Sequence, residues 1–346
     1  MSEYEFGLDT FGDIPTDDAG RRMSDGAAIR QVLEEALLAD RVGVDALTLG
    51  EHHRPDYAIS SPEIVLAAIA ARTSRLRVGT GVTVLSSDDP VRVYERFATL
   101  EGIAPGRVEI ILGRGSFTES FPLFGYDLAD YDRLFEEKLD LFVRLLDEKP
   151  VSWSGTVRPP LVDADVHPKT EAGRIPTLIG VGGTPQSVIR AARYDLPVVL
   201  AIIGGNPARF APYVELYRKA AEQLGTTAHP LAMHSPGFVA DTDEDAAEIL
   251  YPHFKVNRDR IGAERGWPPV TREHFDAEIA RGSLYVGSPE TVARKMAAAV
   301  RTLDVARFDL VYTHGPVPAA ARLRAVELYG TEVVPMVREL LGGDRG

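Results

Sequence analysis

The chain has 346 residues, 45% hydrophobic and 26% charged, with 51 acidic against 38 basic residues and a net charge of -13. That balance repels polyanions and speaks against nucleic acid as a partner, although a local basic pocket can still hold one phosphate. There is no cysteine, which removes disulfides, thiolate metal sites and a cysteine nucleophile.

The first residues, MSEYEFGLDTFG, are acidic and carry no apolar segment. They do not read as a signal peptide. No apolar run approaches membrane-spanning length, so a cytoplasmic protein is expected. Along the chain, short Val/Ile/Leu-rich runs alternate with longer periodic segments. The expected strands are 4–9, 46–50, 76–85, 108–113, 177–182, 198–203, 231–239 and 308–313. Between and after them come expected helices at 27–41, 62–72, 90–100, 131–146, 185–192, 207–224, 289–303 and 319–341. The strands lack strict alternation, as strands covered on both faces do. Five helices open alike, at Ser61-Pro62, Asp89-Pro90, Thr184-Pro185, Asn206-Pro207 and Ser288-Pro289. Each pairs a side-chain acceptor at the N-cap with Pro at the first helical position.

Eight strands alternating with eight helices predict an α/β fold, a (β/α)8 TIM barrel forming one domain over residues 1–346. A doubly wound sheet is the alternative. Its G-x-G-x-x-G turn is broken by Pro185 after Gly180-Val181-Gly182, and by Thr118 after Gly113-Arg114-Gly115. Three long insertions, 116–130, 149–174 and 241–284, are expected at the C-terminal face of the strands as lids or substrate walls. The second of them suits a hairpin or an extended cover.

In a barrel, chemistry belongs at the carboxyl ends of the strands. Strand two ends in Glu51-His52-His53, and side chains alternate along a strand, so one histidine of the pair should face the barrel. Strand three carries Gly79 and Gly81, which read either as packing glycines or as close approach of a ligand. Strand four ends at Arg114, whose planar guanidinium suits phosphate. The neighbouring loop Gly182-Gly183-Thr184-Pro185-Gln186-Ser187 opens a helix and offers N–H groups to an anion. Arg133, early in a helix, is placed to assist or simply to be solvated. His52, His234 and His314 at strand ends raise a tri-imidazole metal site as a rival. Strand one has no histidine and HExxH is absent, so that rival ranks last and no metal is expected.

These residues, Glu51-His52-His53, Val78-Gly79-Thr80, Asp89-Pro90-Val91-Arg92, Gly106-Arg107, Arg114-Gly115 and Phe124-Gly125, resemble the bacterial luciferase-like flavin monooxygenases. The match is closest from Leu49 to about Leu146 and weaker through 179–192 and 286–303. The resemblance implies a barrel that binds reduced FMN, supplied by a separate flavin reductase, and that uses O2 on a small organic substrate, often as a homodimer. It implies that His52 is the active-site histidine, a base or a stabiliser of the flavin–oxygen adduct. Gly81-Val82 matches a non-prolyl bond, often cis, beneath the isoalloxazine. Arg114, Gly182, Gly183 and Ser187 match phosphate contacts, and Arg133 matches one if a residue is inserted before it. Two departures narrow the resemblance. Gly113 stands where true luciferases carry a reactive cysteine, so light emission and long-chain aldehyde specificity do not transfer. Pro185 replaces a small hydroxyl residue, which leaves a deazaflavin-dependent hydride-transfer enzyme as the alternative, followed by a non-catalytic flavin-binding protein.

Overall fold

The computed structural model describes residues 4–115 and 117–342. Eight parallel strands are β1 Glu5–Thr10, β2 Ala46–Leu49, β3 Arg77–Val84, β4 Val108–Gly113, β5 Thr177–Val181, β6 Val198–Ala201, β7 Ala232–Val239 and β8 Arg307–Val311. They follow one another in that order, β8 returns to β1, and the sheet closes into the expected barrel. A ninth short strand, Tyr285–Gly287, pairs with the far half of β7.

The surrounding helices are α1 Asp25–Val42, α2 Pro62–Ala70, α3 Pro90–Ile103, α4 Tyr131–Leu145, α5 Pro185–Arg193, α6 Ala211–Leu224, α7 Pro289–Leu303 and α8 Ala319–Leu328. Their apolar stripes pack on the outward strand side chains, such as Leu47, Leu49 and Ile110, all fully buried. The shared Pro start works as expected at three places. Asp89 accepts from Val91 and Arg92 N–H, Asn206 from Ala208 N–H, and Ser288 from Thr291 N–H. Asn206 opens a 3₁₀ turn rather than the helix itself. Ser61 makes no side-chain cap, and Thr184 spends its hydroxyl on Ser187 at 2.8 Å. The expected helix 319–341 is interrupted by a π turn at Tyr329–Val333 before a final helix Val334–Gly342. Gly330 lies in that turn against Val42, where an added Cβ would come within 2.2 Å of its Cγ2.

The insertions also take shape. Residues 149–174 form a hairpin of Val151–Trp153 and Leu161–Ala164. Residues 241–284 fold into two helices, Asp243–Arg265 and Arg272–Arg281, capped by Thr242 and Thr271. Residues 117–130 form a short helix Ser120–Phe124 and a 3₁₀ turn Leu128–Asp130. Ser116 lies outside the described residues.

The bottom of the barrel is ionic. Arg307 donates to Asp309 Oδ1 at 2.9 Å and to Glu109 Oε2 at 2.7 Å, and all three are buried. Glycines make room for these acids: a Cβ on Gly7 would meet Asp309 Oδ1 at 2.1 Å, and one on Gly79 would meet Glu109 Cγ at 2.5 Å. Gly79 is therefore a packing glycine. No helix among the described residues is long and apolar enough to cross a membrane.

Candidate active site

At the upper end of β3 the Gly81–Val82 peptide is cis, and the pairing with β4 slips by a residue there. Val82 fills space that two glycines on neighbouring strands leave open. A Cβ on Gly113 of β4 would meet Val82 Cγ2 at 2.5 Å, and one on Gly180 of β5 would meet Val82 Cγ1 at 3.0 Å. Beneath this peptide lie Asp9 and Thr48. A Cβ on Gly81 would come within 2.9 Å of both Asp9 Oδ1 and Thr48 Oγ1. Asp9 is buried, its Oδ2 meets His234 Nδ1 at 3.0 Å, and its Oδ1 has no hydrogen-bond partner among the described residues. The floor is thus the Gly81 backbone and the Val82 side chain turned toward β4 and β5, with a polar underside at Asp9 and Thr48.

On one flank two guanidiniums converge on a single hydroxyl. Arg114 Nη2 and Arg190 Nη1 each donate to Ser187 Oγ at 3.5 Å, and Thr184 Oγ1 sits 2.8 Å from the same oxygen. Ser187 lies in the first turn of α5, where N–H groups point outward. Gly182 and Gly183 precede it, and Gly183 takes φ +109°, a conformation that side chains resist. Arg114 is propped on the ring of Tyr131, 5.1 Å from its centroid, and Tyr131 donates to Gly115 O at 2.7 Å. Its carboxylate partner Asp132, at 2.6 Å, is 78% exposed and therefore readily exchanged for an incoming anion. Arg190 also pairs with Glu136. Arg133 pairs with Asp130 at 2.7 Å and is half exposed.

His52 is enclosed at the mouth. Its ring stacks on Tyr57 at 4.6 Å and meets Phe11 and Phe117 edge-on at 4.9 and 5.1 Å. Nδ1 faces Glu119 Oε1 at 3.4 Å. Burial pushes the Glu119 carboxyl up, and the hydrogen bond from His52 with nearby backbone N–H groups more than offsets it, so Glu119 titrates below its ordinary value. His53 turns away, to Glu51 at 2.9 Å; Glu51 in turn accepts from Val84 N–H. The lid residues divide: Phe117 covers His52, Phe121 is buried, Tyr126 lies over the Lys138 ammonium at 4.1 Å, and Phe124 stays half exposed. Lys138 donates to Ser86 O at 2.6 Å. Burial brings its pKa down to about 8.

His52, His234 and His314 do not converge. His234 is the third residue of β7, not its end, and is held by Asp9. His314 bonds Val311 O at 2.9 Å through Nε2. Among the described residues no group of three or more His, Cys, Asp or Glu is placed to hold a metal ion. Burial, foremost, pushes His314 down to about 4 from an ordinary 6.5. The folded chain then binds fewer protons than the unfolded one between those two values, so stability is full above pH 6.5 and falls as the pH drops toward 4. The loss from this group approaches about 3 kcal/mol. His314→Gln is expected to flatten that part of a urea-unfolding pH series; an unchanged slope would place the acid sensitivity elsewhere.

The family model described as luciferase-like monooxygenase matches residues 10–305. The chain belongs to the luciferase-like monooxygenase family. A relative from Streptomyces nodosus subsp. asukaensis, 4-hydroxyprotoasukamycin monooxygenase, is 30% identical over 76% of this chain and 74% of its own. Among solved structures, a monooxygenase from Streptomyces bottropensis superposes with TM-score 0.81 at 25% identity, covering 96% of this chain and 99% of that one. The oxygenating constituent of 3,6-diketocamphane monooxygenase from Pseudomonas putida, solved with FMN, gives 0.75 at 20% identity over 97% and 99%. An F420-dependent secondary alcohol dehydrogenase also gives 0.75, at 18% identity over 96% and 99%. The last two share the fold with this luciferase-like chain.

Two residues of this luciferase-like site are not evident from its motifs. Arg190 follows Ser187 by three positions, a spacing that puts both on one helix face; that periodicity is the clue available in the sequence. Glu119 has no such clue, because only the folded lid brings it to His52.

Proposed function

We propose that this protein is a monooxygenase that binds reduced FMN and uses O2 to oxidise a small organic substrate, as a homodimer served by a separate flavin reductase. The observation that carries the reading is the cradle. A floor at Gly81-Val82, with no side chain on Gly81 and the Val82 side chain turned toward β4 and β5, lies in the same mouth as a two-arginine grip centred on Ser187. That grip suits the terminal phosphate of FMN, and the floor suits a flat ring. When bound, reduced FMN supplies the two electrons that activate oxygen. The chain's own residues do the rest. Arg114 and Arg190 hold the dianion, and the N–H groups at the start of α5 add to it. Phe117 and the lid keep water from the mouth. Glu119 fixes the His52 ring through Nδ1 and leaves Nε2 as the atom that takes or gives a proton.

A titration of FMN followed by flavin fluorescence tests the cradle. Saturable quenching is expected. No binding in either redox state would end this reading, and binding of F420 alone would replace it by the deazaflavin one. His52→Ala is expected to keep FMN affinity within about threefold while cutting substrate-coupled turnover by about 10²–10⁴-fold. Undiminished turnover would make His52 a structural residue.

A further inference from the structure

The helix Asp243–Arg265 meets the loops after β2, β4 and β8 at the barrel mouth and carries three arginines near its C-terminal end. Arg260 is neutralised by Asp56. Arg265 lies over the Phe117 ring at 4.7 Å, the ring that meets His52 edge-on, and over the Trp267 ring at 5.2 Å. Arg258 is half-buried over the indole of Trp267 at 4.8 Å. Among the described residues no carboxylate pairs with Arg258. The charge of Glu278 reaches it, but the Glu278 oxygens accept from Gly205 N–H at 3.1 and 3.0 Å and from Ser283 N–H at 3.3 Å. Burial first, and then the neighbouring Arg265, hold Arg258 below its ordinary value against the pull of Glu278. Its charge is also felt at His314, just beyond β8. Phe254, one turn before Arg258 on the same helix face, meets the His314 ring at 5.9 Å, which sets Arg258 on the side of the loop after β8, whereas Arg114 and Arg190 meet at Ser187 beside the loops after β4 and β5.

A guanidinium drawn partly out of water without a carboxylate is costly to keep, and an anion relieves that cost. Trp267 supplies a flat apolar wall beside it, and Phe117 lies one step further along the mouth, across Arg265. A planar guanidinium matches the two oxygens of a carboxylate. We propose that Arg258 is the substrate-anchoring residue of this mouth, and that the substrate is an organic acid whose carboxylate meets Arg258 while its apolar or aromatic body lies against Phe117 and Trp267. The proposal rests on the reading that oxidation takes place in this mouth; it adds the class of substrate.

Isothermal titration of the full chain with 3-phenylpropionate and with 3-phenylpropionamide tests it. The acid is expected to bind at least about tenfold tighter than the amide, a preference that Arg258→Met abolishes while leaving the amide unchanged. Equal affinities, binding of neither probe, or a preference that survives Arg258→Met would overturn the proposal. Should that variant not fold, Arg258→Lys decides: loss of the planar fork is expected to cut the preference severalfold, and an unchanged preference overturns the proposal. FMN titrations of the same samples report on the cradle independently. FMN bound without acid preference removes the subsite alone; acid preference without FMN binding removes the flavin reading alone.

Discussion

Replacing both Arg114 and Arg190 by alanine is expected to weaken FMN binding by about 10²–10⁴-fold while leaving riboflavin within about threefold. The two guanidiniums meet at Ser187 Oγ and make up the charged part of the grip. Hydrogen bonds to charged groups contribute about 1.5–3 kcal/mol each, and two that share one phosphate add incompletely. Riboflavin lacks the phosphate, so it reports the ring site alone. Parallel fluorescence titrations of both flavins give the comparison. Equal losses would show that these arginines support the fold rather than the phosphate. Arg133→Ala, by contrast, is expected to leave FMN within about twofold, because its half-exposed pair with Asp130 lies outside the grip.

Arg307→Met is expected to lower the unfolding free energy by about 3–5 kcal/mol, the cost of stranding buried charges. Arg307 bridges Glu109 and Asp309 on strands β4 and β8 at the bottom of the barrel. Burial raises Asp309 to about 6 even with Arg307 beside it. Glu109 is held below its ordinary value only because Arg307, with help from Arg77, outweighs its burial. Without the guanidinium both acids lose that support and must take up protons or let in water. Urea unfolding followed by circular dichroism measures the change. Gly7 and Gly79 shape this cluster, since a methyl on either would strike one of its acids. A loss below about 1 kcal/mol, the range of a surface pair, would show that the cluster is solvated.

The barrel was legible because its strands are Val/Ile/Leu-rich runs without strict alternation and its helices open on repeated Pro starts. The two-arginine cluster proposed to hold phosphate was legible in part: Arg114, Gly182, Gly183 and Ser187 come from two stretches that the closed sheet brings side by side. Arg190 was hidden in an ordinary helical pattern, and Arg133, equally basic, turned to its own helix start. Gly113 and Gly180 are uninformative one at a time. Their common purpose is Val82, which lies on a third strand, so the closed sheet has to be built before it shows. Glu119, Phe117 and Arg258 depend on how the lid and the crossing helix settle over the mouth, which local periodicity does not encode. The strand Tyr285–Gly287 and the π turn at Tyr329–Val333 likewise follow from tertiary packing rather than local propensity.

The central claim is that this mouth holds reduced FMN and governs its reaction with oxygen. Rapid mixing of reduced FMN, pre-equilibrated with a molar excess of the chain, against oxygenated buffer tests it most directly. The predicted result is a flavin reoxidation time course slower than that of free reduced FMN, restored toward the free course by Arg114→Ala/Arg190→Ala. A time course identical to that of free reduced FMN would contradict the account.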